Sequence, residues 1–265
     1  LDVVARPHRK LAGLRIDPQS HGRQLSVRTQ SLVLQSLADG KDHIVDVPPG
    51  HWSGPIWTAD DRAFALLRLG VDGGAELWVA DPATAPPRRI DGVHVNTVLG
   101  GSVRWLPDQQ KLLVLAVVPG AEPPRPAVPS GPQVQDTVRG EKAQVRTYQD
   151  LLQDAHDERL FEFFATSKLL RVDPANGQRQ PLGEPAIFDD VEPSPDGTLL
   201  LTTRIARPFS YLVPASSFPQ VTELRDRDGK VLRTLAKAPL REAVPIGGVP
   251  TGPRAIGWLD VLPHT

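Results

Sequence analysis

Arg204, Arg207 and Tyr211 put two guanidiniums and a phenol into one short stretch of this 265-residue chain. Such a set can grip a carboxylate, because a guanidinium presents it with two parallel N–H donors. The competing reading is structural: Arg207 closes a salt bridge within the fold while Phe209 and Tyr211 pack beneath a loop. His156, Asp157 and Glu158 offer three metal-ligand types in succession, but consecutive helical positions point in different directions and cannot close on one ion. They read as the solvated, acidic start of a helix. Asp189 and Asp190 suggest paired carboxylates, yet neighbouring strand residues face opposite sides of a sheet, so they read as polar sheet-edge residues. His8, His21, His43, His51, His94 and His264 show no metal-ligand spacing, and neither a metal nor a cofactor is expected. No GxSxG elbow occurs, and Gly50-His-Trp-Ser53-Gly54 has the wrong spacing for one, so no catalytic residue is nominated in this chain.

A strand-turn-strand phrase recurs and supplies the frame for these side chains. It reads Pro55-Ile-Trp57-Thr-Ala-Asp60, then Val103-Arg-Trp105-Leu-Pro-Asp108, then Val191-Glu-Pro193-Ser-Pro-Asp196, each followed by an apolar run. A fourth copy opens at Arg254-Ala-Ile-Gly-Trp258-Leu-Asp260. A short strand, a turn at Asp and a second apolar strand form the inner half of a β-propeller blade. The spacing is 48 residues from Trp57 to Trp105, 88 from there to Pro193, and 65 on to Trp258. The first is near the roughly 40–45 of one four-stranded blade, and the others imply insertions. The expected fold is therefore all-β: a partial β-propeller of about three and a half four-stranded blades with a short helical insertion.

One propeller domain over 1–265 divides, on this spacing, into an opening blade over about 11–50 and blades over about 54–97, 102–183 and 186–236. The start of a further blade falls at about 253–265. Insertions cover 119–166 and 206–219. Within the first insertion, residues 119–146 hold six prolines and seven charged side chains and read as an exposed loop. Thr147 and Asp154 are good N-caps, so a pair of short helices should follow, with Leu160, Phe161 and Phe164 on one face. The second insertion is aromatic and stiffened by Pro208 and Pro214.

Composition narrows the classes of function. Net charge is −1 with scattered Lys and Arg, which leaves no electrostatic footprint for nucleic acid. No apolar run approaches the roughly 20 residues of a membrane helix. Zero Cys removes disulfides, a thiol nucleophile and thiolate metal sites, and zero Met makes the chain read as a processed, trimmed or partial product. The compartment is left open, with a periplasmic or secreted location preferred.

Three longer phrases carry a resemblance. Arg146-Thr-Tyr-Gln-Asp-Leu-Leu152 with His156-Asp-Glu158, Arg204-Ile-Ala-Arg-Pro-Phe-Ser-Tyr-Leu-Val-Pro214, and Val244-Pro-Ile-Gly-Gly-Val-Pro-Thr-Gly-Pro-Arg254 resemble the N-terminal propeller of the glutamyl endopeptidase branch of the prolyl oligopeptidase family. The similarity runs over essentially the whole chain. It implies a propeller that covers an α/β-hydrolase domain bearing a Ser, Asp and His triad. The chain departs from that pattern in lacking the second half of the propeller and the hydrolase domain, so it is expected to be inactive alone.

The function implied is the non-catalytic propeller segment of a serine peptidase, gating peptide access and contacting substrate, with the parent cleaving after Glu. Arg204, Arg207 and Tyr211 would then meet the substrate carboxylate. The implied partners are peptide substrate, the missing propeller half and the α/β-hydrolase domain. Open blade edges should also favour self-association. The alternative is a stand-alone propeller scaffold for protein–protein interaction with no catalysis.

Overall fold

In a computed structural model, the described residues are 6–24, 29–81, 86–126, 147–242, 248–249, 252–253 and 255–259. Residues 127–146 of the loop expected over 119–146, most of the phrase from Val244 to Arg254, Asp260 and His264 lie outside them. Strands β1 (Arg9–Leu11), β2 (Leu14–Asp17) and β3 (Gly22–Arg23) form a small antiparallel sheet, which the repeat pattern does not announce. A two-stranded hairpin follows, β4 (Val33–Gln35) with β5 (Asp42–Ile44).

Three four-stranded antiparallel meanders then repeat. The first runs β7 (Ile56–Trp57), β8 (Phe64–Leu69), β9 (Ala75–Ala80) and β10 (Arg88–Val95), with the short β6 (His51–Trp52) on the far half of β8. The second runs β11 (Val103–Trp105), β12 (Leu112–Val117), β13 (Ser167–Val172) and β14 (Arg179–Pro181). The third runs β15 (Phe188–Pro193), β16 (Leu199–Ile205), β17 (Gln220–Asp226) and β18 (Val231–Ala238). This is an all-β, incomplete β-propeller. β10 touches β12 through the single pair Val95 and Ala116, which joins the first two meanders at one end.

The recurring phrase has one mechanism in all three places. The backbone N–H groups of Thr58, Leu106 and Ser194 donate to the carbonyls of Ala63, Lys111 and Leu199. The carboxylates of Asp60, Asp108 and Asp196 accept the N–H two residues on, at 3.2, 3.0 and 3.1 Å. The next residue takes a left-handed conformation, φ 57° at Asp61, 57° at Gln109 and 71° at Gly197. Short Asp side chains satisfy their own turn in this way, which is why Asp marks it.

Packing follows the meanders. β12 has no exposed residue, because its two faces are covered by different layers. One side belongs to a cluster with Leu77, Val95, Trp105 and Val172. Leu113 and Leu115 on the other side join Leu169, Phe188, Val191 and Leu200, between the second and third meanders. A third cluster lies under the insertions and gathers Leu11, Ile16, Leu160, Phe161, Phe164, Ile205, Phe209 and Phe218.

Among its described residues the insertion holds one helix, α1 (Ala155–Ala165), where a pair is expected. Residues 147–153 are not helical. Asp150 sits at φ 58°, its carbonyl accepts the Gly13 N–H at 2.8 Å, and its carboxylate accepts from Arg15 Nε at 2.7 Å. These bonds to the first sheet, with Leu152 buried, outweigh the local helical preference of a short segment.

Candidate functional site

α1 is tied down at both ends. The Asp154 carboxylate accepts the N–H groups of His156 at 2.7 Å and Asp157 at 2.9 Å, a side-chain N-cap of the kind that satisfies otherwise orphaned donors. At the other end Asn96, 3% exposed, donates from Nδ2 to the carbonyls of Phe164 at 2.8 Å and Thr166 at 3.2 Å. Its Oδ1 accepts the Val98 N–H at 3.0 Å. The apolar face of α1 lies on the second insertion. Phe161 meets Phe209 edge-on at 5.2 Å and Phe218 at 5.7 Å, while those two rings stack at 5.3 Å.

On the same helix, Glu158 and Glu162 are one turn apart and turn towards the second insertion. Arg207 Nε and Nη2 donate to the two oxygens of Glu162 at 2.7 and 2.8 Å, and Nη1 donates to Glu158 Oε2 at 2.5 Å. Tyr211 donates its hydroxyl to Glu158 Oε1 at 2.6 Å. The guanidinium carbon lies 4.6 Å from the centre of the Phe209 ring. Arg207 is 48% exposed, whereas Glu158 is 16% exposed. Bonds from Glu162 and then Glu158 hold Arg207 still more firmly protonated than usual. Burial pulls the Glu158 carboxyl upward, but Tyr211 and Arg207 outweigh it and leave it below the ordinary range.

Arg207 and Tyr211 thus meet on one carboxylate, and Arg204 belongs to a separate network. Arg204 Nη2 donates to Glu223 Oε1 at 3.2 Å, and Glu223 Oε2 accepts from Arg225 at 2.8 Å. Arg225 also reaches Thr202 Oγ1 at 3.1 Å and the Gly229 carbonyl at 3.2 Å. His156, Asp157 and Glu158 diverge: His156 is buried, Asp157 accepts the Gln153 N–H at 2.9 Å, and Glu158 faces Arg207. Ser53 is part of the pairing with β8, accepting the Leu67 N–H at 3.0 Å.

The inner strand β15 carries a second polar group. Asp189 accepts from Gln220 Nε2 at 2.8 Å, while Asp190 accepts from Arg104 at 3.1 Å, and Arg104 also lies 3.6 Å from Glu192. Burial, then Asp190, push the Asp189 carboxyl up against the opposing pull of Arg241, Gln220 and Arg23. Arg23, Arg104, Gln220 and Arg241 escape a reading of the sequence because each approaches from a different sheet or segment, with no shared spacing.

Two chloroplastic relatives match nearly all of this sequence. One, "Probable glutamyl endopeptidase, chloroplastic" of Oryza sativa subsp. japonica, is 34% identical over 97% of the chain and 29% of its own length. Its counterpart in Arabidopsis thaliana, of the same name, is 34% identical over 99% of the chain and 29% of its own length. The chain therefore spans less than a third of either relative. An acylaminoacyl peptidase of Pyrococcus horikoshii overlays 78% of this chain and 27% of its own at 15% identity and a TM-score of 0.46, a likeness too remote to carry function. No family model matches.

Proposed function

Because the chain belongs to the glutamyl endopeptidase family along nearly its whole length, we propose that it is the non-catalytic propeller segment of a serine peptidase whose complete form hydrolyses peptide bonds after Glu. The 34% identity over 97% of the chain carries this reading. The rim formed by α1 and the 206–219 insertion gates peptide access to an α/β-hydrolase domain and contacts the peptide. In this role Arg207 and Tyr211 offer the exposed side of the rim, and Arg204 supports it from the Glu223 network. The rim's shared aromatic packing and the Arg207 bonds to α1 support a unit that holds its shape as peptide passes. The open outer edges favour self-association of the chain alone.

The test compares hydrolysis of Glu-containing chromogenic peptides by this chain and by the complete protein that contains it, with and without a serine-directed covalent inhibitor. Activity confined to the complete protein and abolished by the inhibitor is expected. Inactivity of both would favour a scaffold propeller. Arg207→Ala in the complete protein refines the residue assignment. A loss of turnover selective for Glu over neutral residues is expected, and unchanged selectivity in a folded variant would remove Arg207 from the substrate contacts.

A further inference from the structure

The turn between β2 and β3, the segment after β10 and the end of α1 close on one imidazole, that of His21. The residue ends its turn at φ 41°, a left-handed conformation in which His is enriched. Its carbonyl accepts the Thr97 N–H at 3.0 Å. The neighbouring Asn96 holds the end of α1 through the Phe164 and Thr166 carbonyls. The His21 ring stands on that same helix end, 5.6 Å from the Phe163 ring and 5.3 Å from the Phe164 ring, tilted by 57° and 58°.

One ring nitrogen has nothing to bond. Nδ1 is buried and, among the described residues, has no hydrogen-bond partner. A neutral imidazole can leave that atom a bare acceptor by carrying its proton on Nε2, whereas the imidazolium must carry N–H on both nitrogens. A buried N–H without an acceptor is strongly unfavourable. The carboxylates that bear on the ring are Asp17 of β2 and Glu122 of the segment after β12, and both are already engaged. Asp17 accepts from the Gln19 N–H at 2.9 Å, from Ser20 Oγ at 2.9 Å and from Arg6 at 3.2 Å. Glu122 accepts from Arg9 at 2.5 Å. α1 meets the ring with Phe163 and Phe164, and the segment after β10 meets the residue with backbone. Burial accordingly pushes the imidazole pKa down, against the smaller upward pull of Asp17 and Glu122.

We propose that His21 is a pH-sensitive latch, which docks the C-terminal end of α1 when its ring is neutral and releases it when the ring is protonated. Docking has its full strength above the unfolded imidazole's pKa of about 6.5. It weakens as pH falls from there toward the lowered folded value, because the opened form takes up the proton more readily. Asp157, in the first turn of α1, works the other way: burial raises its carboxyl, so acid tightens that end of the helix. The latch does not depend on the peptidase reading. Its consequence reaches the rim all the same, since α1 carries the Glu158 and Glu162 carboxylates that hold Arg207.

The test is backbone hydrogen exchange in the complete protein from about pH 7.5 to about pH 5.5, a window that spans the histidine transition. Protection factors of α1 and β12 amides are compared in wild type, His21→Asn and His156→Gln. Asn tolerates the left-handed conformation and does not titrate. His156 is the control, since it is buried on α1 with an unpartnered Nδ1 of its own. In wild type, α1 protection should fall by up to about tenfold per pH unit below about pH 6.5, the limit for one proton, while β12 changes little. His156→Gln should keep that response and His21→Asn should lose it. Exchange of the His21 imidazole C2–H, read by mass spectrometry in wild type, should give a titration below the ordinary histidine value, and this holds whether or not the Asn variant folds. A flat α1 profile in wild type, a response that survives in His21→Asn or vanishes in His156→Gln, or a His21 ring that titrates at or above the ordinary value would overturn the latch.

Discussion

The indole Nε1–H of Trp105 donates to the carbonyl of Ile56 across 2.8 Å, from the inner strand of one sheet to the inner strand of the sheet before it. Trp258 repeats the bond on the carbonyl of Glu192 at 3.2 Å. Ile56 and Glu192 occupy the same position of the repeat, one residue before Trp57 and Pro193. At the third sheet Pro193 stands where the indole would be, and Arg104 spans that junction through Asp190 and Glu192 instead. One junction is therefore pinned by a neutral hydrogen bond and the next by charge.

Trp105→Phe keeps an aromatic ring in a nearly buried site but leaves the Ile56 carbonyl without its donor. A loss of about 1–2 kcal/mol is expected, since a typical hydrogen bond contributes near 1 kcal/mol and the smaller ring adds a packing deficit. Urea unfolding at low and high salt would check it. The loss should be nearly independent of salt, whereas that of Arg104→Gln should shrink as salt is raised.

Glu192 gives the charged junction a pH dependence. Burial, then Asp190, raise its carboxyl above the ordinary range despite Arg104. A carboxyl raised on folding contributes stability below its unfolded pKa and loses it as pH rises through the folded value. Glu192→Gln should therefore raise the unfolding temperature near neutral pH. The advantage should fade below about pH 4, where the unfolded carboxyl also binds its proton. A variant less stable than wild type at neutral pH would refute the sign.

Asn96→Ala should cost about 2 kcal/mol. The amide is buried and meets three backbone groups, so its removal strands the end of α1. Hydrogen exchange should show faster opening of the α1 amides than of those in β12. Equal acceleration throughout would mean that the helix and the sheets unfold as one unit.

Gly229→Ala probes the outer end of the junction between the second and third sheets. Gly229 sits at φ +87°, and a Cβ there would lie 2.4 Å from the Leu182 carbonyl carbon. Conformation and contact both oppose it, and a loss of about 3 kcal/mol or more is expected. Chemical denaturation measures it directly, and a loss under about 1 kcal/mol would mean that the two backbones separate easily.

The blade frame was legible in the sequence because its cause is local. Each Asp turn closes within a few residues, and β8 and β12 read as apolar runs because sheets cover both their faces. The N-cap at Asp154 and the apolar face of α1 are local in the same way. The failed second helix marks the limit: Thr147 to Gln153 has a good start signal, but Gly13 and Arg15, far back in the chain, claim Asp150.

The amino-acid sequence by itself determined the repeat, its turns and the presence of a charged, aromatic insertion. Tertiary structure alone decided which charges meet. It gave Arg207 to Glu158 and Glu162, gave Arg204 to Glu223, and brought Arg104 to Asp190. Hydrogen bonds within a turn depend on neighbours a few residues away, whereas an ion pair depends on where separate elements come to rest.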